Sequence, residues 1–383
     1  MGIQKLSRSV IAAILTITLF GVSILAQSSR SKSSARASSL DEFIANRINV
    51  AEDKTIFTLS AMLNVAGYDE ENNSQGMHPV RVRVRERLSK SIPETLKSRL
   101  QAFYRAHQVK PINYSYGVVA KVTSGPPDFA FTKEWKDIES DPQFGQLKEL
   151  PELLREFYRT VPVEAIYEDV RAEYLSYIKD YRLAINSEVS KAMSYCRVKS
   201  VNELAGGGET KYAIIVPNLL ESYSKATSFV LDAGFYSIDG PQKQLGYNPH
   251  EFIHSITNPI SYNPRYRALQ QRAQPLFDVA REVAAIREDF KTIEEFFDEC
   301  LVRAISLKYL DTGESKRAAR LHDAMMKEYK SGNILERFFY EQLGEYEKSK
   351  KSLREYYPQI LKSLNVEKEL LRWQQEPKSQ TAT

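Results

Sequence analysis

A chain of 383 residues with 42% hydrophobic, 27% charged and 11% aromatic residues can form a large apolar core, which excludes a wholly disordered protein. The formal net charge is +4, from 53 basic and 49 acidic residues. A balance this close to neutral gives no reason to expect nucleic acid or an anionic membrane surface as a partner.

The first 26 residues have the pattern of a signal peptide. Lys5 and Arg8 form a basic region, residues 10–25 are largely apolar, and Ala26 places a small residue before the expected cleavage point. The apolar run is shorter than the ~20 residues that span a bilayer. We therefore expect a periplasmic or secreted protein with no stable membrane association after cleavage. A retained signal would instead serve as an N-terminal membrane anchor.

Composition and periodicity divide the remaining chain into further segments. Residues 27–39 are Ser-rich and predict a flexible linker. Residues 40–205 predict a helical N-terminal lobe, because apolar residues recur at helical spacing, most clearly from Ile166 to Tyr181. The glycines at 206–208 indicate a hinge before a catalytic lobe at 206–375, and residues 376–383 form a polar tail.

Two stretches of the N-terminal lobe are less regular. Valine and arginine alternate at 80–85, which is a strand period, although residues 86–107 have a helical pattern. We interpret the arginines as a solvated face, because no aromatic or Gly-rich companions suggest nucleic-acid binding. Residues 111–131, with several prolines and glycines, predict a loop or short strands.

The fold class is predicted as α+β, mostly helical, with a small sheet in the catalytic lobe. Residues 212–216 form a continuous β-branched apolar run and predict a buried strand. Residues 228–236 predict a second strand, and residues 237–241 predict a turn. An edge strand beside a catalytic site can hold an extended peptide by backbone pairing.

The strongest chemical signal in the chain is His250-Glu251-Phe252-Ile253-His254, which has the form H-E-x-x-H. On a helix, residues four apart lie on one face, so His250 and His254 can bind one Zn²⁺ ion. Glu251 can then act as general base toward a water at the metal. The alternative is a surface helix that carries two unrelated histidines.

The residues around the motif predict a short helix of about two turns. Asn248 and Pro249 favour a helix start, as N-cap and first helical residue. Asn258 and Pro259 favour its end, because the residue before proline avoids helical geometry.

Catalytic zinc sites use three protein ligands, so one more is expected. The Met-turn class requires glycine at 257 and histidine at 260, where this chain has Thr257 and Ile260. A glutamate on a second helix is the alternative, and the candidates are Glu294, Glu295 and Glu299. Glu294 and Glu295 follow Thr292, whose spacing to Glu295 matches a capping box. Glu299 sits mid-helix among apolar neighbours, and it can be a ligand or simply the ion-pair partner of Arg303.

Cys196 and Cys300 are the two cysteines of the chain. In an exported protein they can form a disulfide, and they can equally be two buried free thiols.

These residues carry a resemblance to known metallopeptidases. H-E-x-x-H followed by a glutamate-bearing helix resembles the gluzincins, the thermolysin-like zinc peptidases. More narrowly, His-Glu-Phe-Ile-His-Ser-Ile-Thr-Asn-Pro at 250–259 and Glu-Cys-Leu-Val-Arg-Ala at 299–304 resemble a family of exported bacterial proteins of unassigned function with a His-Glu-Phe-Ser-His-Ser-Phe-Val-Asn-Pro motif. The departures at 253, 256 and 257 involve no ligand position.

The resemblance implies a zinc-peptidase-like fold with His250, His254 and Glu299 as ligands and Glu251 as base. It also implies an oxyanion-stabilising residue, for which Tyr262, Tyr309 and His322 are candidates. The expected activity is zinc-dependent hydrolysis of a peptide or protein substrate. The alternatives are an exported, non-catalytic binding protein with a structural metal site, and a metallohydrolase of a non-peptide amide or ester.

Overall fold

The computed structural model describes residues 47–68, 77–108, 112–204, 212–231, 234–242, 248–311 and 314–375. The predicted signal peptide, the Ser-rich linker and the polar tail lie outside these residues. No helix within the described ranges combines the length and the apolar character that crossing a membrane requires.

The described residues are mostly helical and contain one four-stranded mixed sheet, which confirms the predicted α+β class. The sheet order is β1-β2-β4-β3, where β1 is Ile48–Val50, β2 is Tyr212–Pro217, β3 is Ala226–Leu231 and β4 is Gly234–Asp239. Strands β1, β2 and β4 are parallel, and β3 pairs antiparallel with β4.

The chain divides into two compact units. The first contains the described residues of 48–178 and 212–242, and the second contains those of 179–204 and 248–375. This differs from the predicted boundary near residue 206, which assigned the sheet to the catalytic lobe. The physical reason is the pairing of β1 with β2, in which Ile48 lies opposite Ala213 and ties the sheet to the N-terminal helices.

The first unit contains helices beside the sheet, and the helix Ile112–Lys121 packs against β3. The helices are α1 (Lys54–Ala66), α2 (Pro79–Ser91), α3 (Glu94–Ala106), α4 (Ile112–Lys121), α5 (Trp135–Ile138), α6 (Pro142–Gly145), α7 (Leu150–Thr160) and the first half of α8 (Val163–Tyr195). Helix α1 is buried on nearly every face, as its apolar sequence requires, and Asp53 caps its first turn. The predicted apolar stripe of α8 is buried and forms packing surface, including the tyrosines Tyr174 and Tyr181.

Several local expectations for this unit need correction. Residues 80–85 are helical despite their strand period, because Val80 and Val84 are four apart and share the buried face with Arg81. The interpretation of the arginines as a solvated face was wrong for Arg81, which is fully buried and donates to Asn64 Oδ1. Residues 112–121 form α4 rather than a loop. Residues 226–239 form two strands rather than a strand and a turn, and the turn-like residues 237–239 complete β4 opposite β2.

The second unit is entirely helical within the described residues. After the second half of α8 it contains α9 (His250–Ser261), α10 (Arg267–Gln271), α11 (Gln274–Ala280), α12 (Ala284–Asp289), α13 (Ile293–Lys308), α14 (Ser315–Lys330), α15 (Glu336–Lys348), α16 (Leu353–Ser363) and α17 (Val366–Gln375). Helix α13 packs against α9 on one side and against α15 on another. The last four of these helices occupy most of residues 314–375.

Candidate metal site

Helix α9 carries the H-E-x-x-H motif in its first two turns. It begins at His250, and its N-cap is Pro249 rather than Asn248, so the predicted start was off by one residue. Asn248 still contacts the first turn, because the His250 backbone N–H donates to Asn248 Oδ1 at 3.1 Å. The predicted end at Pro259 was wrong, because the helix continues to Ser261. Pro259 lacks an N–H and costs the helix one hydrogen bond, but burial of the apolar residues on both sides of it outweighs that loss.

The apolar side chains of α9 fix which face carries the histidines. Phe252, Ile253 and Ile256 are at most 4% exposed. Burying them leaves His250 and His254 on a face that packs beside α13 and keeps some solvent access. An ion could therefore reach the two imidazoles from solvent.

Helix α13 supplies the facing carboxylates. Its first turn is fixed by the predicted capping box, in which Thr292 accepts from the Glu295 backbone and the Glu295 side chain accepts from the Thr292 backbone. Asp298 and Glu299 follow one turn later, where α13 packs against α9.

Glu299 lies against both histidines of the motif. His250 Nε2 is 3.5 Å from Glu299 Oε1, and His254 Nε2 is 3.3 Å from Glu299 Oε2. One ligand atom from each of the three residues lies within 4.8 Å of the others, and no second group of this kind occurs among the described residues. Two ligand atoms of a tetrahedral zinc ion lie roughly 3.3–3.4 Å apart. Each histidine lies close to that distance from Glu299, although His250 and His254 approach different oxygens of the carboxylate.

Asp298 holds the other nitrogen of His254. Its Oδ2 is 2.7 Å from His254 Nδ1, and because a carboxylate only accepts, Nδ1 carries the hydrogen. Nε2 of His254 thereby faces Glu299 Oε2 at 3.3 Å, where the charged ring donates a second hydrogen bond and the neutral ring would offer its lone pair to a metal. Metal-binding histidines commonly have such a partner, which fixes the tautomer and the ring orientation.

The electrostatics of the site favour an ionised Glu299. Burial opposes its charge, but His250, His254 and Arg303 outweigh that effect and hold the pKa of Glu299 well below its usual range. Burial likewise opposes a charged His254, but hydrogen bonds to Asp298 and Glu299 raise its pKa well above the usual value. An ionised carboxylate is the form of Glu299 that binds a metal.

Glu299 also forms the ion pair with Arg303 that the sequence offered as the alternative to a metal-ligand role. Arg303 Nε donates to Glu299 Oε1 at 2.6 Å, and Arg303 Nη1 donates to Glu328 Oε2 at 2.6 Å. The two roles are compatible, because Glu299 contacts the histidines and the guanidinium together.

The other two glutamates considered as ligands have different partners. Glu294 pairs with Arg267, and Glu295 belongs to the capping box. Glu251 lies in the first turn of α9 and is partly exposed, three residues before His254 and therefore on the adjacent side of the helix.

The three candidates for oxyanion stabilisation lie in different places. Tyr262 follows α9, and burial and then the nearby Asp298 carboxylate raise its pKa well above the usual value. Tyr309 lies beside Glu188 at a cavity of about 400 Å³, and His322 is exposed on α14. The carboxylates of the site act on the pKa of Tyr262, whereas Glu188 acts on that of Tyr309.

One residue of this unit was not predicted, and one pair of alternatives is now decided. Asp298 was not identified, although its position beside Glu299 on an apolar helix was a signal that a buried carboxylate needs a partner. Cys196 and Cys300 are both buried free thiols, so the disulfide alternative does not hold.

Comparisons with protein-family models, with curated proteins and with solved structures found no match to this chain.

Proposed function

We propose that the chain is a zinc-dependent peptidase of the His₂Glu type, similar in its site to the gluzincins. The observation that supports this most strongly is the convergence of His250, His254 and Glu299 within 4.8 Å, with Glu251 next to the first ligand. The donor set fits Zn²⁺, which accepts imidazole and carboxylate ligands and leaves a fourth position open in catalytic sites.

A zinc ion at this position would supply a Lewis acid and would lower the pKa of a bound water toward ~7. The residues of the chain perform the other tasks. Glu251 accepts a proton as water attacks the scissile carbonyl, and it delivers that proton to the leaving nitrogen as the C–N bond breaks. Asp298 keeps His254 in the tautomer that offers Nε2 to the metal.

Tyr262 is the favoured candidate for the group that stabilises the developing oxyanion. Its raised pKa keeps the phenol protonated, which is the form that can donate a hydrogen bond. The expected loss in a Tyr262→Phe variant is a roughly 10²–10³-fold decrease in kcat.

The intact Glu251 favours hydrolysis over a purely structural metal site, because a structural site has no use for a general base. We propose a peptide substrate rather than an ester or another amide, because the sequence motifs resemble those of the gluzincin peptidases. Both alternatives are distinguished by the measurements below.

The test combines metal analysis with hydrolysis of an unstructured protein such as casein, with and without a chelator. We expect one zinc per chain and an activity that the chelator abolishes and added Zn²⁺ restores. Bound zinc without hydrolysis of casein or of ester and amide substrates would identify a structural site. Hydrolysis of esters but not casein would identify the non-peptide alternative.

Two variants assign the residues. Glu251→Gln should keep zinc and lose hydrolysis, whereas Glu299→Ala should lose zinc. Glu282→Gln, an exposed glutamate in the same unit, is the matched control and should keep both. Full activity in Glu251→Gln refutes the mechanism, and an unchanged zinc content in Glu299→Ala refutes the third ligand.

A further inference from the structure

The carboxylate of Glu299 has one oxygen occupied by a neighbour on its own helix. Arg303 Nε donates to Oε1 at 2.6 Å, and the same oxygen lies 3.5 Å from His250 Nε2. Oε2 faces His254 Nε2 at 3.3 Å. The side chain of Glu299 is only 14% exposed, so few other orientations of the carboxylate are open to it.

Arg303 is itself fixed by a second carboxylate. Its Nη1 donates to Glu328 Oε2 on α14 at 2.6 Å, and Asn333 Nδ2 contacts the same oxygen at 3.5 Å. A planar guanidinium bound through two of its nitrogens to two carboxylates has little freedom to rotate. The geometry of Glu299 is thus set by a chain of contacts that extends from α13 to α14.

We propose that Arg303 is a positioning residue for the metal site: it holds Oε1 of Glu299 and so fixes the orientation in which the carboxylate would meet an ion beside the two histidines. This inference rests on the metal site of the proposed function and deepens it. A carboxylate free of Arg303 can bind a metal through both oxygens, which would use the position that a catalytic zinc keeps for water.

The test uses Co²⁺ in place of Zn²⁺, because the visible absorption of Co²⁺ is strong in four-coordinate sites and weak in higher coordination. The full-length wild-type protein should give the strong spectrum. Arg303→Met, which keeps the aliphatic stem, should give the weaker spectrum and a roughly 10–100-fold loss of Zn²⁺ affinity in a competition titration with a chelating dye. Arg303→Lys, which retains the charge, should recover part of the affinity.

Two further variants control the experiment. Arg320→Met removes an exposed arginine of α14 and should change neither the spectrum nor the affinity. Glu328→Gln leaves Glu299 and Arg303 in place but weakens the second anchor of the guanidinium, so it should lower Zn²⁺ affinity several-fold. A thermal melting curve shows whether Arg303→Met is folded. If it is not, the Zn²⁺ affinity of Glu328→Gln tests the role of Arg303 instead.

The outcomes separate this inference from the proposed function. If folded Arg303→Met keeps the wild-type Zn²⁺ affinity and Co²⁺ spectrum, the role of Arg303 is overturned even if the protein is a peptidase. If Arg303→Met does not fold, the same result in Glu328→Gln overturns it. A wild-type protein that binds metal but hydrolyses nothing refutes the peptidase and leaves the role of Arg303 standing. A wild-type protein that binds neither Zn²⁺ nor Co²⁺ overturns both.

Discussion

Asp298 and His254 form a hydrogen-bonded pair, with Oδ2 and Nδ1 2.7 Å apart, although 44 residues separate them in the chain. The carboxylate is 1% exposed, and its Oδ1 has no hydrogen-bond partner in the described part of the protein. Consecutive residues of α13 thus engage both nitrogens of one imidazole, because Glu299 lies against Nε2.

Asp298→Asn should weaken zinc binding by roughly tenfold or more, because a neutral amide holds His254 less firmly than a carboxylate. The measurement is a competition titration with a chelating dye. Asp323→Asn, an exposed aspartate of α14, is the matched control and should bind zinc as the wild type does. Equal affinity in the two variants would contradict a supporting role for Asp298.

Glu336 is predicted to make stability depend on pH. It is fully buried with no hydrogen-bond partner for either oxygen within the described residues, and burial raises its pKa to about 9. Arg303 opposes that shift, whereas Glu328 and Glu299 add to it.

The folded state therefore binds this proton more tightly than the unfolded state, so stability is lost as pH rises from about 5 toward 9. Glu336→Gln should remove that loss, which is worth about 1.4 kcal/mol for each unit of pKa shift. Urea denaturation of chelator-treated protein at pH 5 and pH 8 measures the change in the free energy of unfolding between the two pH values. A wild-type protein equally stable at both pH values, or more stable at pH 8, would contradict the prediction.

The two cysteines should be unreactive in the folded protein. Burial raises the pKa of the Cys196 thiol to about 12, and burial followed by the Glu336 carboxylate raises that of Cys300 well above its usual value. A thiol reagent should label neither residue under native conditions and both after denaturation without reductant. Failure of either residue to label in denaturant would show that it is oxidised or bonded.

Thr292→Ala should lower the free energy of unfolding by about 1 kcal/mol, because the Glu295 backbone N–H loses its acceptor at the start of α13. Thr292→Ser keeps the hydroxyl and should remain close to wild type. Zinc content should be unchanged in both, since Glu299 lies beyond the first turn. Denaturant titration and metal analysis check the two statements, and equal stability of the Ala and Ser variants would refute the cap.

The sequence predicted the parts of the site that depend on local spacing. His250 and His254 are four residues apart on one helix, and Thr292 and Glu295 form a capping box three apart, so helical geometry alone relates them. Asp298 could not be predicted in the same way, because its partner is 44 residues away and only the packing of α9 on α13 brings the two together. The same limit explains Pro259, where tertiary burial overrides a local helix-ending signal.

The sheet is a second example of structure that local sequence patterns do not predict. Residues 212–216 could be recognised as a strand from their β-branched run, whereas β1 has three residues and is defined only by its pairing with β2. The alternation at 80–85 favoured a strand, but a buried face with Val80 and Val84 satisfies helical spacing equally well. Short patterns of this kind do not determine which period the backbone adopts.

The pairing of β1 with β2 has a consequence for synthesis of the chain. Strand β1 ends at Val50, and its hydrogen-bonding partner begins only at Tyr212. At ~5–20 residues per second, roughly 8–32 seconds pass between translation of the two strands. A fragment ending at residue 204 lacks three of the four strands, so the first unit cannot complete its fold until the ribosome has passed Asp239. A fragment that contains the complete first unit therefore has to extend at least to Asp239.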